Sequence, residues 1–201
     1  SDVTEPATAP TEPRLRWQQR LLVRAVFVLG ALAALVLALP VDVSALVEKG
    51  GACEDALRRR AHIVRRLRGG GVVPKDIGTQ LELFKGEYAF GTYAMCAYAL
   101  TNIALDAPET REDTLQVLEL IVSRIMSQEI RAFDASQWGE DGLASLDGDN
   151  GHIAYLGHLN LIMGAYRILG GDDRYDALHA QITDAISRRM KALPHFHAET
   201  Y

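Results

Sequence analysis

Residues 138–176, WGEDGLASLDGDNGHIAYLGHLNLIMGAYRILGGDDRYD, set an acidic, glycine-rich loop directly in front of a helix with no polar face. At 100° of rotation per residue, Tyr155, Leu159, Ile162, Met163 and Tyr166 share one stripe. Gly157, Leu161, Gly164 and Ala165 cover the opposite side. A helix apolar all round is expected to be buried on all sides, with its small residues letting neighbours approach closely. Yet this helix also carries His152, Tyr155, His158 and Tyr166. A buried hydrogen-bonding group left unpaired costs about 1–3 kcal/mol. The spacing therefore implies either a buried polar network or a ligand pocket.

A second nearly charge-free helix is expected over 84–106, with aromatics at Phe84, Tyr88, Phe90, Tyr93 and Tyr98. Residues 112–132 differ in kind. Leu115, Leu118, Ile121, Val122, Ile125 and Met126 form one apolar stripe, and most of the charged residues lie off it. Residues 174–193 repeat this amphipathic type through Leu178, Ile182, Ile186 and Met190. Alternation of buried and amphipathic helices is the pattern of stacked αα-hairpins. The connectors Asp106-Ala-Pro108 and Gly170-Gly-Asp-Asp173 carry stop and start residues. No run alternates as a strand would, so the fold class is all-α.

The N-terminal part reads separately. Residues 1–20 form a tail rich in Pro, Thr and Ala that ends in arginines, and its first 13 residues have the composition of disorder. Ala25–Val41 carries no charge and, extended back to Leu21, approaches the ~20 residues that cross a bilayer. The expectation is a single transmembrane anchor within 21–45, contacting membrane through 21–41. Arg14, Arg16, Arg20 and Arg24 favour a cytoplasmic N-terminus, which puts the helical domain on the extracytoplasmic side. Alternatives are a buried helix of the domain and a signal peptide cleaved near Val43-Ser-Ala45. Residues 46–78 follow as an Arg-rich helix and a glycine linker, then 79–201 as the main domain.

The run RRRAHIVRRLR at 58–68 has the look of a patch for nucleic acid or anionic lipid, but the spacing of Leu57, Ile63, Val64 and Leu67 leaves its arginines around a solvated helix. With a net charge of −5, nucleic acid is not an expected partner. Cys53 and Cys96 are too few for a disulfide framework, and Cys96 reads as a small core residue. Asp147-Gly-Asp149-Asn150-Gly151 departs from a calcium loop, because Gly151 stands where an oxygen ligand belongs. The plainer account is that Asp149 or Asn150 caps the helix that follows. His195-x-His197 has no third ligand in sight. Neither a metal nor a cofactor is expected.

The run YLGHLNLIMGAYRILGGDDRYD, 155–176, resembles the linalool dehydratase/isomerase domain family. In that family an aromatic–x–Gly–His–Leu core opens an inner helix and a Gly-Asp-x-Arg-Tyr turn closes it. Trp138-Gly139 sits at the upstream position. The resemblance is best over 135–193, weaker over 84–133, and absent before residue 50. It implies an (α/α)6 barrel, of which about five helices give only an incomplete part. It also implies that His158 lines the pocket and works as acid/base on a small alcohol, near its own ionisation range. The family's pattern includes a cysteine pair beyond this histidine, and this chain has no cysteine after Cys96.

Three functions follow. The first is a lyase or isomerase acting on a small alcohol or terpenoid-like substrate, with His158 and Tyr155 catalytic and Trp138, Asp149, His152 and Tyr166 binding substrate in one shared cavity. The second is a carbohydrate-active hydrolase or epimerase using paired carboxylates from Glu140, Asp141, Asp147 and Asp149. The third is a non-catalytic, membrane-anchored helical module.

Overall fold

The computed structural model describes residues 17–38, 52–78 and 82–192, with side chains described over 21–34, 52–78 and 84–192. The tail at 1–16 and the histidines at 195 and 197 lie outside the described residues. The chain divides into two units, 1–47 and 48–201. No strand occurs among the described residues, so this part of the chain is all-α.

The first unit contains α1, Trp17–Ala38. Its described side chains, Leu21 to Ala34, are exposed and include Arg24. Among the described residues, no helix is long and apolar enough to cross a membrane. The expectation of a transmembrane anchor over 21–41 is corrected accordingly. The described apolar stretch falls short of the ~20 residues that a bilayer core requires.

The second unit starts with α2, Glu54–Arg68, whose Glu54 and Asp55 at the first turn and Arg65, Arg66 and Arg68 at the last suit the helix dipole. Val64 and Leu67 are buried. Part of the arginine run is structural rather than merely solvated. Arg60 and Arg68 each hold one oxygen of Asp113 at 2.6 Å. These two guanidiniums keep the Asp113 carboxyl below its ordinary range despite the opposing effect of burial.

Helix α3, Glu82–Asp106, runs through the middle of this unit, packed by α2, α4 (Arg111–Ile125), α5 (Gln128–Trp138) and α6 (Ile153–Ile168). Helix α6 packs on α3, α4 and α7 (Asp176–Ala192). The α3–α4 and α6–α7 pairs are thus helix hairpins. The core lies between them, where Leu100, Leu118, Ile121, Ile125, Leu156, Leu159 and Ile162 are fully buried. Burial of such side chains contributes about 1.5–3 kcal/mol each.

Two expectations change here. The single helix expected at 112–132 is broken, because Ser127 takes an extended backbone (φ −66, ψ 146) and its hydroxyl accepts from the Ile130 N–H at 3.4 Å. This cap starts α5, which lies on α3 and interrupts strict inner–outer alternation. Its docking is close: a Cβ on Gly86 would meet the Phe133 Cβ at 2.9 Å. The expected alternation of an incomplete (α/α)6 barrel is replaced by α2, α4, α5 and α6 all packed on α3.

The link from α2 to α3 is held by one phenol. Tyr93, 1% exposed, donates to the Val72 carbonyl at 2.9 Å and accepts from the Val72 N–H at 3.0 Å. Gly71 adopts φ +73 beside it, where any Cβ would strike the Tyr93 hydroxyl. Tyr93→Phe leaves both Val72 groups without this partner and should lower stability by about 1–3 kcal/mol. Urea unfolding followed by far-UV circular dichroism checks this, and an unchanged midpoint would remove the phenol from its structural role.

Candidate functional site

Helix α6 begins at an unusual point. His152, its N-cap, has the left-handed backbone φ 48, ψ 21 and no side-chain cap. Neither Asp149 nor Asn150 caps the helix, contrary to expectation. The Asn150 amide instead donates to Glu140 Oε1 at 2.8 Å. What fixes His152 is its ring. Nδ1 lies 2.7 Å from Asp134 Oδ2, Nε2 lies 3.4 Å from Glu140 Oε1, and the Trp138 ring packs at 5.3 Å. A Cβ on Gly142 would come within 3.0 Å of both Asp134 Oδ2 and His152 Nδ1, so the loop backbone crosses this pair only as glycine.

The same loop wraps a second charge. Arg189 of α7, 2% exposed, donates to the carbonyls of Ser145, Gly148 and Gly151 at 2.8, 3.1 and 3.0 Å. Buried cations need such partners. Arg131 anchors the loop's start through Asp141 at 2.7 Å. Burial alone would push the His152 imidazole down, but the hydrogen bond and charge of Asp134, with Glu140 added, raise it instead.

His158 stands one and a half turns further along α6, in different surroundings. It lines a groove of about 850 Å³ between α3 and α6. Phe90, Met95, Ala99, Phe133 and Ala154 give the groove apolar walls, and Glu87, Thr92 and Cys96 add polar edges. His158 Nδ1 is 2.6 Å from the Tyr98 hydroxyl, and Phe90 meets the imidazole edge-on at 5.8 Å. Burial pushes His158 below its ordinary range and Tyr98 above its own. The imidazole is thus neutral near pH 7, and its Nδ1 is engaged by a phenol that resists ionisation. Burial also raises the Cys96 thiol, which keeps it protonated.

The remaining expected site residues lie elsewhere. Tyr155 is sealed in the core, where its hydroxyl donates to the Ile125 carbonyl at 3.2 Å and its ring packs on Phe90. Trp138 and His152 belong to the buried ion cluster, and Asp149 is exposed on the loop. Tyr166 sits at the far end of α6. Its hydroxyl reaches Glu119 Oε1 at 3.0 Å and its ring meets Tyr175 edge-on. Burial, then Glu119, pushes this phenol up to about 12. The Asp172–Arg174 pair beside it, bonded at 2.7 and 2.6 Å, closes the α6–α7 turn with Arg174 also on Glu119. The expected shared cavity is therefore corrected: His158 faces the groove, whereas Tyr155, Trp138, His152, Asp149 and Tyr166 do not line it. A helical position one turn away points at a different neighbour, so polar residues close in sequence diverge in space.

Glu87 and Thr92, which line the groove, and Tyr98, which meets His158 from α3, are residues to which sequence reasoning gave no site role. Tyr98 was visible as an aromatic of a charge-free helix, but nothing in one sequence sets the rotation of α3 against α6. Among the described residues, no group of three or more His, Cys, Asp or Glu side chains could hold a metal ion. No family model matches this chain, and no solved structure matches it.

Asp134→Ala leaves a buried imidazole without its anion, and should cost about 3–5 kcal/mol. The pH dependence has a definite sign. The folded pKa of His152 is raised, so its stabilisation is complete below the unfolded value of 6.5 and is lost as pH rises through the folded value. The difference in urea midpoint between wild type and Asp134→Ala should shrink on that rise. A difference constant from pH 5 to 9 would contradict the pairing.

Proposed function

We propose that the α3/α6 groove is an acid/base site for a small, largely apolar alcohol, of the lyase or isomerase type that the likeness to the linalool dehydratase/isomerase domain implies. The observation that carries this reading is the 2.6 Å contact of Tyr98 with His158, whose ring lines a groove of mostly apolar walls. Pockets that hold small ligands combine apolar walls with a few convergent polar groups.

The chemistry follows from the two ring nitrogens. With Nδ1–H donated to the Tyr98 oxygen, Nε2 keeps its lone pair and serves as base. A neutral imidazole takes a proton from the carbon next to the carbinol, the C–O bond breaks, water leaves and a C=C bond forms. The leaving hydroxyl takes its proton from solvent at the open groove and departs as water. The Tyr98 phenol, kept un-ionised by burial, orients the ring and accepts from it. Returning the proton at another carbon gives isomerisation instead.

The carbohydrate reading needs two carboxylates flanking one bond. Among the described groove residues Glu87 is the carboxylate, whereas Glu140 pairs with His152 and Asn150, and Asp141 with Arg131. The geometry therefore favours the alcohol.

Incubation of the protein with a panel of small terpenoid alcohols, read by gas chromatography of alkene and rearranged products, tests the reading. His158→Ala should lower turnover by about 10²–10⁴-fold, the usual range for a positioned acid/base group, with an unchanged far-UV spectrum. Tyr98→Phe should keep partial activity and move the acid limb of the pH profile. Turnover insensitive to His158→Ala, or its absence from the whole panel, would overturn the proposal.

A further inference from the structure

Glu87 is half-buried on α3 and lines the groove with Tyr88, Gly91 and Phe133. Among the described residues its carboxylate has neither an ion pair nor a hydrogen bond. The residues three and four places away on α3 are Leu83, Phe84, Phe90 and Gly91, and none is basic. By contrast Asp113, Asp134, Asp141 and Glu119 each hold an arginine or an imidazole. Among the described residues that line the groove there is no lysine or arginine, and burial lowers the basicity of His158. A carboxylate set among apolar and aromatic side chains without a counter-charge carries a desolvation cost that nothing there offsets.

We propose that the Glu87 end of the groove binds the ammonium group of a small lipophilic amine, whose apolar chain lies along Gly91 and Met95 towards His158. Three observations choose that ligand. First, charge is complementary: Glu87 offers one negative charge in a groove whose other walls are mostly apolar. Second, aromatic rings accompany it. Tyr88 and Phe90 line the same groove, and Tyr88 is positioned by stacking on Phe84 at 6.1 Å. Aromatic rings beside a carboxylate suit an organic cation, because ring faces attract positive charge. Third, there is room for the chain. Gly91 stands one turn after Glu87, and a Cβ built there would meet nothing within 4 Å. Met95, one turn further, supplies an adaptable apolar wall. The His158 ring lies 5.8 Å from the Phe90 ring and 5.9 Å from the Tyr98 ring, so it sits between them along α3. Glu87 precedes both, and a head group held there sends its chain towards the imidazole. A neutral hydroxyl at Glu87 would bring no counter-charge, and a carboxylate would be repelled.

The proposal goes beyond the chemistry proposed for His158 and does not depend on it, because binding at Glu87 requires no turnover.

Isothermal titration calorimetry of the full chain with n-octylammonium, 1-octanol and octanoate at pH 7 tests this directly. The three probes share one chain length and differ at the head group. Wild type should bind n-octylammonium about 10-fold more tightly than 1-octanol, and octanoate most weakly. Added salt should weaken the ammonium more than the alcohol, since only the former pairs with a charge. Glu87→Gln keeps the shape of the side chain and removes its charge, and should bring ammonium and alcohol to within about 2-fold of each other. Gly91→Leu fills the space next to Glu87 and should weaken both probes together. Equal binding of ammonium and alcohol by wild type, no binding of the ammonium, or a preference that survives Glu87→Gln would each overturn the proposal. The wild-type comparison of ammonium with octanoate decides the matter even if a variant fails to fold. None of these outcomes bears on turnover by His158, which the alcohol panel reads separately.

Discussion

The structure of the second unit depends on one imbalance. Two long helices, α3 and α6, are almost free of charge, and the described chain supplies only α2, α4, α5 and α7 to cover them. Helix α3 takes α2, α4 and α5 around it, and α6 takes α4 and α7. Among the described residues, the side that α3 and α6 share carries exposed Tyr88, Met95 and Leu161. The groove in front of His158 lies on that side.

Two histidines on one helix show how far local surroundings decide chemical role. His152 is sealed against Asp134 and Glu140, with its backbone held in the left-handed region by the cluster it joins. It fixes where α6 starts and how the loop at 139–151 lies. His158, less than two turns later, meets a phenol and apolar rings, with a groove in front of it. Charge raises the basicity of the first, whereas burial lowers that of the second.

Much of this was legible beforehand. Apolar periodicity located α3, α6, α7 and the start of α4 to within a few residues, because a stripe at helical spacing reports a buried face directly. His158 was the strongest single candidate, and it reaches the groove. Other readings failed for identifiable reasons. Uniform apolarity promised a helix covered on all sides, but cover depends on how many partners the rest of the chain provides, and Leu161 and Ile168 are exposed. The break at Ser127 was hidden within a continuous apolar pattern. Tyr155 looked like a neighbour of His158 from its position on α6, yet it points into the core and Tyr98 arrives from another helix. Pairings across 60 residues, like that of Tyr98 with His158, leave no trace in local spacing. The apolar run after Leu21 had the composition of a membrane span, and among the described residues no helix is long and apolar enough to be one.

The central claim is that α6 presents one histidine as a buried structural imidazole made more basic by its carboxylates, and the other as a reactive base made less basic by burial. Nitrogen-15 NMR of the imidazoles across a pH titration, assigned with His152→Gln and His158→Gln, measures it directly. The account predicts that His158 titrates below 6.5, with a Tyr98-dependent tautomer, and that His152 titrates above 6.5. The reverse order, or a common midpoint for the two rings, would contradict it.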